Sequence, residues 1–257
     1  MVTVMRNRPV MARVILMLLV LSVVGCSTGP RKGDDFAPPQ RTLEEVAPAG
    51  EAFAVDQYDP FEGFNRHVYR FNAWFDDAIF LPLVGAYDFV FPEFVKTGVH
   101  NFMRNLDEIP TLLNAALQLK PRASAHTAGR LLVNTTIGLL GVLDPAAEMG
   151  LVRHDEDFGQ TLGHYGIGPG PYLMLPILGP SSVRDGIGIA VDTYAFNELD
   201  PLYFDKNDDA WQYGYYGLRA LDTRRSIGFH YYETGSPFEY ELVRLLYLKM
   251  RKLQIAR

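Results

Sequence analysis

Asp59-Pro60-Phe61-Glu62-Gly63-Phe64-Asn65-Arg66-His67-Val68-Tyr69-Arg70-Phe71-Asn72-Ala73-Trp74-Phe75 decides the fold class. Asp59 is the expected N-cap, Pro60 suits the first helical position, and Glu62 stands where a capping box closes. Phe61, Phe64, Val68, Phe71 and Phe75 recur at spacings of three and four, which is one face of an α-helix. Asn65, Tyr69, Asn72 and Asp76 recur the same way beside it. One helix therefore carries an aromatic stripe and a polar stripe, the pattern of a surface helix with a solvated side.

Helical periodicity continues outward from this stretch. Val95, Val99, Phe102, Leu106, Ile109 and Leu113 predict a helix over about 94–119, kinked at Pro110. A third helix is expected from near Ser124, with small residues Ala125, Ala128, Gly129, Gly138 and Gly141 that permit close backbone approach. Leu131 to Leu143 has no formal charge and is ended by a cap and first-turn pair, Asp144-Pro145. Residues 211–221 read as an aromatic-rich helix. Ser236-Pro237-Phe238-Glu239 repeats the capped start, and Leu242, Leu245, Leu246 and Met250 form the stripe of a terminal amphipathic helix. That helix bears Arg244, Lys249, Arg251, Lys252 and Arg257, which suit its dipole and also offer a handle for an acidic partner.

Phe158 to Val183 is the most unusual stretch. It holds 26 residues without a formal charge, taking His164 as neutral, yet contains six glycines and four prolines. No ordinary transmembrane helix has that composition, and irregular backbone at membrane depth is tolerated only where protein or a water-filled cavity satisfies it. The segment is expected to line or plug a passage, with Ser181 capping the helix that follows.

Upstream, Arg6, Arg8 and Arg13 precede an uncharged run of 11 residues, Val14 to Val24, the length of a signal-peptide core and too short for a bilayer span. Cys26 is the sole cysteine, and Val23-Val24-Gly25-Cys26 resembles a lipobox; an ordinary secretory signal is the alternative. Acylation would explain the odd thiol and supply a stable anchor. Ser27 points to the outer membrane. Pro30 to Gly50 reads as an unstructured tether. The expected organisation is thus a signal peptide at 1–25, a tether at 26–57, a helical membrane-embedded domain at 58–231 and a terminal helix at 232–257.

Removing residues 1–25 takes three arginines and no acids, moving the net charge from −6 to −9. That excludes a nucleic-acid binder and argues against basic docking on anionic lipid, so membrane contact must come from apolar surface. The 16 Phe, 14 Tyr and 2 Trp suit either a bilayer interface or a dense core.

Catalytic and metal motifs fail on inspection. Asp205, Asn207 and Asp209 begin a calcium-loop spacing, but Ala210 replaces the turn glycine and Tyr216 the bidentate glutamate. His154-Asp155-Glu156-Asp157 sends successive side chains in different directions and reads as a solvated turn. No phosphate-cradling glycine loop is present, and no metal or other cofactor is expected beyond acyl chains such as palmitate on Cys26. Ser181 with His164 and Asp185 is the best available hydrolase triad, though a helix cap explains Ser181.

Several blocks together resemble the VacJ/MlaA outer-membrane lipoproteins. They are Asp59 to Arg66 with Tyr69, Phe71 and Asn72; Asn101-Phe102, Asn105-Leu106, Arg130, Asn134-Thr135, Gly138, Gly141 and Asp144; and Phe158-Gly159, Thr161-Leu162-Gly163, Tyr165-Gly166, Gly170-Pro171-Tyr172, Leu175-Pro176, Gly179-Pro180-Ser181 and Arg184-Asp185. The resemblance implies an all-α, ring-like helical bundle in the outer membrane with a central amphipathic channel. It implies trimeric porins as neighbours, a soluble periplasmic phospholipid carrier of the MlaC type as recipient, and phospholipid as cargo. The chain ends soon after its terminal helix, without the polar tail of many relatives.

On that reading Asn65, Arg66, Asn72, Asn134, Thr135, Gln160, Thr161 and Arg184 are expected to include channel-facing groups for a lipid phosphate or glycerol ester. Gly159, Gly163, Gly166, Gly168, Gly170, Pro176 and Pro180 are expected to set its opening. A surface scaffold and a lipid hydrolase are the competing classes.

Overall fold

The computed structural model describes residues 40–46, 57–202 and 209–257. The chain divides into two units, Met1–Pro38 and Pro39–Arg257, and every described residue belongs to the second. The signal peptide, Cys26 and most of the tether lie outside the described residues, as do Asp205 and Asn207 of the rejected calcium loop.

The described elements are a short α1 (Leu43–Val46), α2 (Glu62–Phe75), a π-helical segment (Asp76–Phe80), α3 (Leu81–Val90), α4 (Glu93–Leu117), α5 (Pro121–Thr136), α6 (Pro145–Glu148), α7 (Phe158–His164), strands β1 (Tyr172–Leu175) and β2 (Gly179–Ser182), α8 (Val183–Leu199), α9 (Asp209–Ser226) and α10 (Glu239–Ile255). The fold is mainly helical, as expected. Among the described residues, no helix is long and apolar enough to cross a membrane.

Local chemistry sets the boundaries, with shifts from expectation at Asp59, Ser181 and Ser236, the last of which bonds the Phe238 amide in a turn before α10. Asp59 caps a turn rather than the helix: its carboxylate accepts from the Phe61 amide at 3.0 Å, and α2 begins at Glu62. Glu62 accepts from Arg66 Nε one turn on, at 2.8 Å. Ser182 rather than Ser181 caps α8, accepting from the Asp185 amide at 3.2 Å. Asp144 caps α6 as expected.

Phe158–Val183 is not all irregular. It opens with α7, which stops in a Schellman motif: the Gly166 amide bonds the Gly163 carbonyl, the Ile167 amide bonds the Leu162 carbonyl, and Gly166 takes the required positive φ of 87°. An antiparallel hairpin follows, with Tyr172 opposite Ser182 and Leu175 opposite Gly179. Four-residue strands broken by Pro176 and Pro180 carry no legible alternation, so the periodicity missed them.

The packing is inverted relative to a water-soluble helical protein. On α2 it is the polar stripe that is buried: Asn65, Tyr69, Asn72 and Asp76 are 0–3% exposed. Phe61, Phe64, Phe71 and Trp74 are 42–60% exposed. The long α4 repeats this, burying Lys96, Asn105, Glu108, Thr111 and Asn114 while Phe94 and Leu117 stay exposed. Buried polar and charged side chains outnumber buried apolar ones among the described residues. Two modest apolar clusters remain. One gathers Val68, Tyr69, Tyr172, Met174 and Tyr240, the other Met103, Leu106, Phe196 and Tyr215. Because α10 contributes Tyr240 to the first, residues from 232 onward belong to the same packed unit as 58–231.

Candidate lipid-handling framework

The buried polar stripe of α2 acts as a third edge for the hairpin. Asn65 Nδ2 donates to the Tyr172 carbonyl at 3.1 Å, and its Oδ1 accepts from the Met174 amide at 2.8 Å. Asn72 repeats the arrangement two turns on, donating to the Leu175 carbonyl at 2.9 Å and accepting from the Ile177 amide at 2.8 Å. Seven helical residues rise about 10.5 Å, and three strand residues span about 10 Å. The two carboxamides therefore match the strand's repeat and satisfy its outer backbone groups.

The other face of Asn65 leads to the terminal helix. Asp59, fully buried, accepts from Asn65 Nδ2 at 3.0 Å, from the Tyr240 hydroxyl and from Arg244 Nη1 at 3.2 Å. Arg66 bonds Glu62 and Glu241 and lies 4.6 Å over the Tyr240 ring. Tyr69 donates to Glu239, which also accepts from the Thr234 amide and hydroxyl.

A second network joins α4, α5 and α6. Arg130 donates to Glu108 at 2.7 Å, to Asp144 at 2.8 Å and to the Leu151 carbonyl at 2.9 Å. Asn134 donates to Asp144 at 2.8 Å and accepts from the Ala146 amide at 3.0 Å. Burial pushes the Glu108 carboxyl upward despite its arginine neighbours.

A third network closes α7 against α8 and α10. Arg251 forms charge-assisted bonds of 2.7–3.1 Å with Asp157 and Asp185. Burial opposes ionisation of Asp185. The hydrogen bonds from Arg251 and Tyr247, with the charges of Arg251 and Arg184, outweigh it and bring Asp185 down to about 2. Thr161 donates to Asn114 Oδ1 at 2.8 Å and accepts from Gln118, which also donates to Glu156.

These networks change the reading of the expected channel residues. Asn65, Asn72, Asn134, Gln160, Thr161 and Arg184 are 0–5% exposed, and Arg66 is partly buried, with polar groups bonded to protein partners. Gln160 holds Asp157 and the Asp155 carbonyl, and Arg184 holds Asp185 and the Ile167 carbonyl. They hold elements together, because an unmatched polar group inside the fold would cost more than it gave. Thr135, which accepts from Asn105 at 3.1 Å, is the exposed one of the eight.

The expected hinge splits in two. A Cβ on Gly188 would come within 2.4 Å of the Gly159 amide nitrogen, and one on Gly163 within 2.6 Å of Ile255 Cδ1. Gly159 and Gly163 are thus sites of tight packing, which opposes bending. Gly166 and Gly168 have open space around them, and Gly170 combines a φ of 67° with Val183 at 3.4 Å. Pro176 sits in the hairpin turn and Pro180 in β2 opposite Met174.

Two alternatives that the sequence left open lose support. Ser181, His164 and Asp185 do not assemble: Asp185 is committed to Arg184, Arg251 and Tyr247, and the His164 ring meets the Tyr165 ring edge-on. Of the terminal helix's basic residues, Arg244 and Arg251 are used internally. Glu108, Asn114, Gln118, Glu239 and Arg251 were not anticipated. A polar stripe at Asn101, Asn105, Glu108, Thr111, Asn114 and Gln118 carries three of these five, but only the fold shows what each of them bonds.

Comparison with known proteins agrees with this architecture. The MlaA lipoprotein family matches residues 57–254. The chain is 39% identical over 173 residues, 66% of each chain, to the Escherichia coli protein named intermembrane phospholipid transport system lipoprotein MlaA. It is 37% identical to an uncharacterised protein of Rickettsia conorii over 74% of this chain and 75% of that one. A solved structure described under the maintenance of bacterial outer-membrane lipid asymmetry aligns with a TM-score of 0.62 and 30% identity, covering 77% of this chain and all of the other. This chain belongs to the MlaA lipoprotein family.

Proposed function

We propose that the chain is an outer-membrane lipoprotein, anchored through acyl groups on Cys26 and facing the periplasm. It withdraws phospholipids misplaced in the outer leaflet and passes them to a soluble periplasmic carrier, preserving lipid asymmetry. The observation that carries this is the inverted packing, with aromatic and aliphatic side chains outward and amides and ion pairs inward. In water that exposed surface would be a liability; in a bilayer it is the correct exterior.

The ring has a passive role: it lowers the barrier for a polar headgroup, and the carrier's affinity draws lipid onward. The buried networks keep the ring rigid, and Thr135 with the open backbone at Gly166 and Gly168 belongs to the lipid path. Trimeric porins hold the ring at the correct depth. Deleting the gene is expected to raise phospholipid at the cell surface, measured as sensitivity of intact cells to added phospholipase. The wild-type gene should reverse this, and a Cys26→Ser gene should not. Surface phospholipid unchanged by deletion would leave a scaffold as the better reading.

A further inference from the structure

Between α4, α8 and α9 lies a cavity of about 100 Å³, walled by Asp107, Asp192, Phe196, Tyr215, Tyr216 and Arg219 among others. A single water needs only roughly 10–15 Å³ by the same measure. Its charges are unevenly matched. Arg219 is spent on Asp107, at 2.6 Å, and on the Tyr215 hydroxyl, at 2.9 Å. Asp192 is half-buried and held only by neutral donors, the Asn114 amide at 2.8 Å and the Phe158 backbone amide at 2.9 Å. No cation among the described residues is in ion-pair distance of it, although a carboxylate withdrawn from water is ordinarily paired.

The surrounding rings supply what an organic cation prefers. Phe196 and Tyr215 stack with planes 8° apart and centroids at 6.1 Å, and Tyr216 meets Tyr215 edge-on at 5.1 Å. An aromatic wall beside an uncompensated carboxylate is the chemistry that binds alkylammonium groups. The adjacent Arg219–Asp107 pair can open toward a phosphate, since exchanging one anionic partner for another keeps the guanidinium matched.

We infer that this cavity is a headgroup subsite for zwitterionic phospholipids, with Asp192 and the aromatic rings taking the ammonium and Arg219 the phosphate. The inference rests on the phospholipid-transport reading and adds a substrate class to it. The ammonium could equally come from a free amine, and acyl chains separate the two sources.

The test is calorimetric binding of short-chain phosphatidylethanolamine, phosphatidylglycerol and free phosphoethanolamine to the full chain in detergent. Wild type should prefer phosphatidylethanolamine over phosphatidylglycerol. Asp192→Asn should weaken phosphatidylethanolamine about tenfold, the scale of one lost charge contact near 1.4 kcal/mol, and leave phosphatidylglycerol unchanged. Tyr216→Leu, which removes a ring at the margin of the apolar cluster but leaves a side chain to fill it, should weaken phosphatidylethanolamine several-fold and covers the case in which Asp192→Asn fails to fold. Equal binding of both lipids, or equal losses for both in either variant, overturns the subsite. Free phosphoethanolamine binding as tightly as the lipid overturns the lipid source. If no lipid binds wild type at all, the transport reading itself fails, whatever the cavity does.

Discussion

A single amide can do the work of a strand. Asn65 and Asn72 bond three backbone groups of β1 and the Ile177 amide in the turn after it, and they do so from the dry side of a helix. Replacing Asn65 by leucine keeps the branching and the number of heavy atoms but strands the Tyr172 carbonyl and the Met174 amide. Each buried orphan costs about 1–3 kcal/mol, so Asn65→Leu should lower stability by about 2–6 kcal/mol, read from chemical denaturation in detergent. An unchanged midpoint would mean the carboxamide is not a strut. The sequence displayed these asparagines as a polar stripe but hid their partners, which lie more than a hundred residues downstream. Local spacing marks which face is polar, whereas only the fold tells whether that face meets solvent, lipid or protein.

Among the elements, the long amphipathic helices were legible, whereas α3, α7 and the hairpin were not. Runs of three-and-four spacing over 14 to 25 residues announced α2 and α4. Four-residue strands held by a helix's side chains leave no period to read. The glycines separate by environment in the same way. Gly188 abuts the Gly159 backbone where α7 crosses α8, so Gly188→Ala should cost about 1–3 kcal/mol through overpacking. Gly168→Ala, with nothing within 4 Å, should leave the melting temperature within a degree or two. Thermal unfolding of the two variants side by side checks this. Equal losses would show that neither position is distinguished by packing.

At the scale of the whole molecule, α2 carries its apolar stripe outward and its polar stripe inward, the orientation that the family resemblance implies and that a solvated polar side would have reversed. Composition supplied many aromatics and few basic residues and could not decide whether they pointed in or out; the buried carboxamides and ion pairs decide it. Phe64 and Trp74, 60% and 58% exposed, should therefore matter for lipid and little for folding. Changing both to serine is expected to reduce partition of the acyl-free chain into phosphatidylethanolamine-rich vesicles several-fold, while the denaturation midpoint stays within the range of surface substitutions, about 0.5 kcal/mol. Flotation on a density gradient measures the first. A fold whose greasy residues face out also has a history to solve before it reaches its bilayer. Spontaneous collapse in an aqueous compartment drives Phe, Leu and Trp toward one another, and here that would gather the outer surface into the centre and turn the molecule inside out. A chaperone that covered this aromatic flank in transit would prevent that collapse, so the exposed face sets a folding cost that water imposes and a bilayer removes.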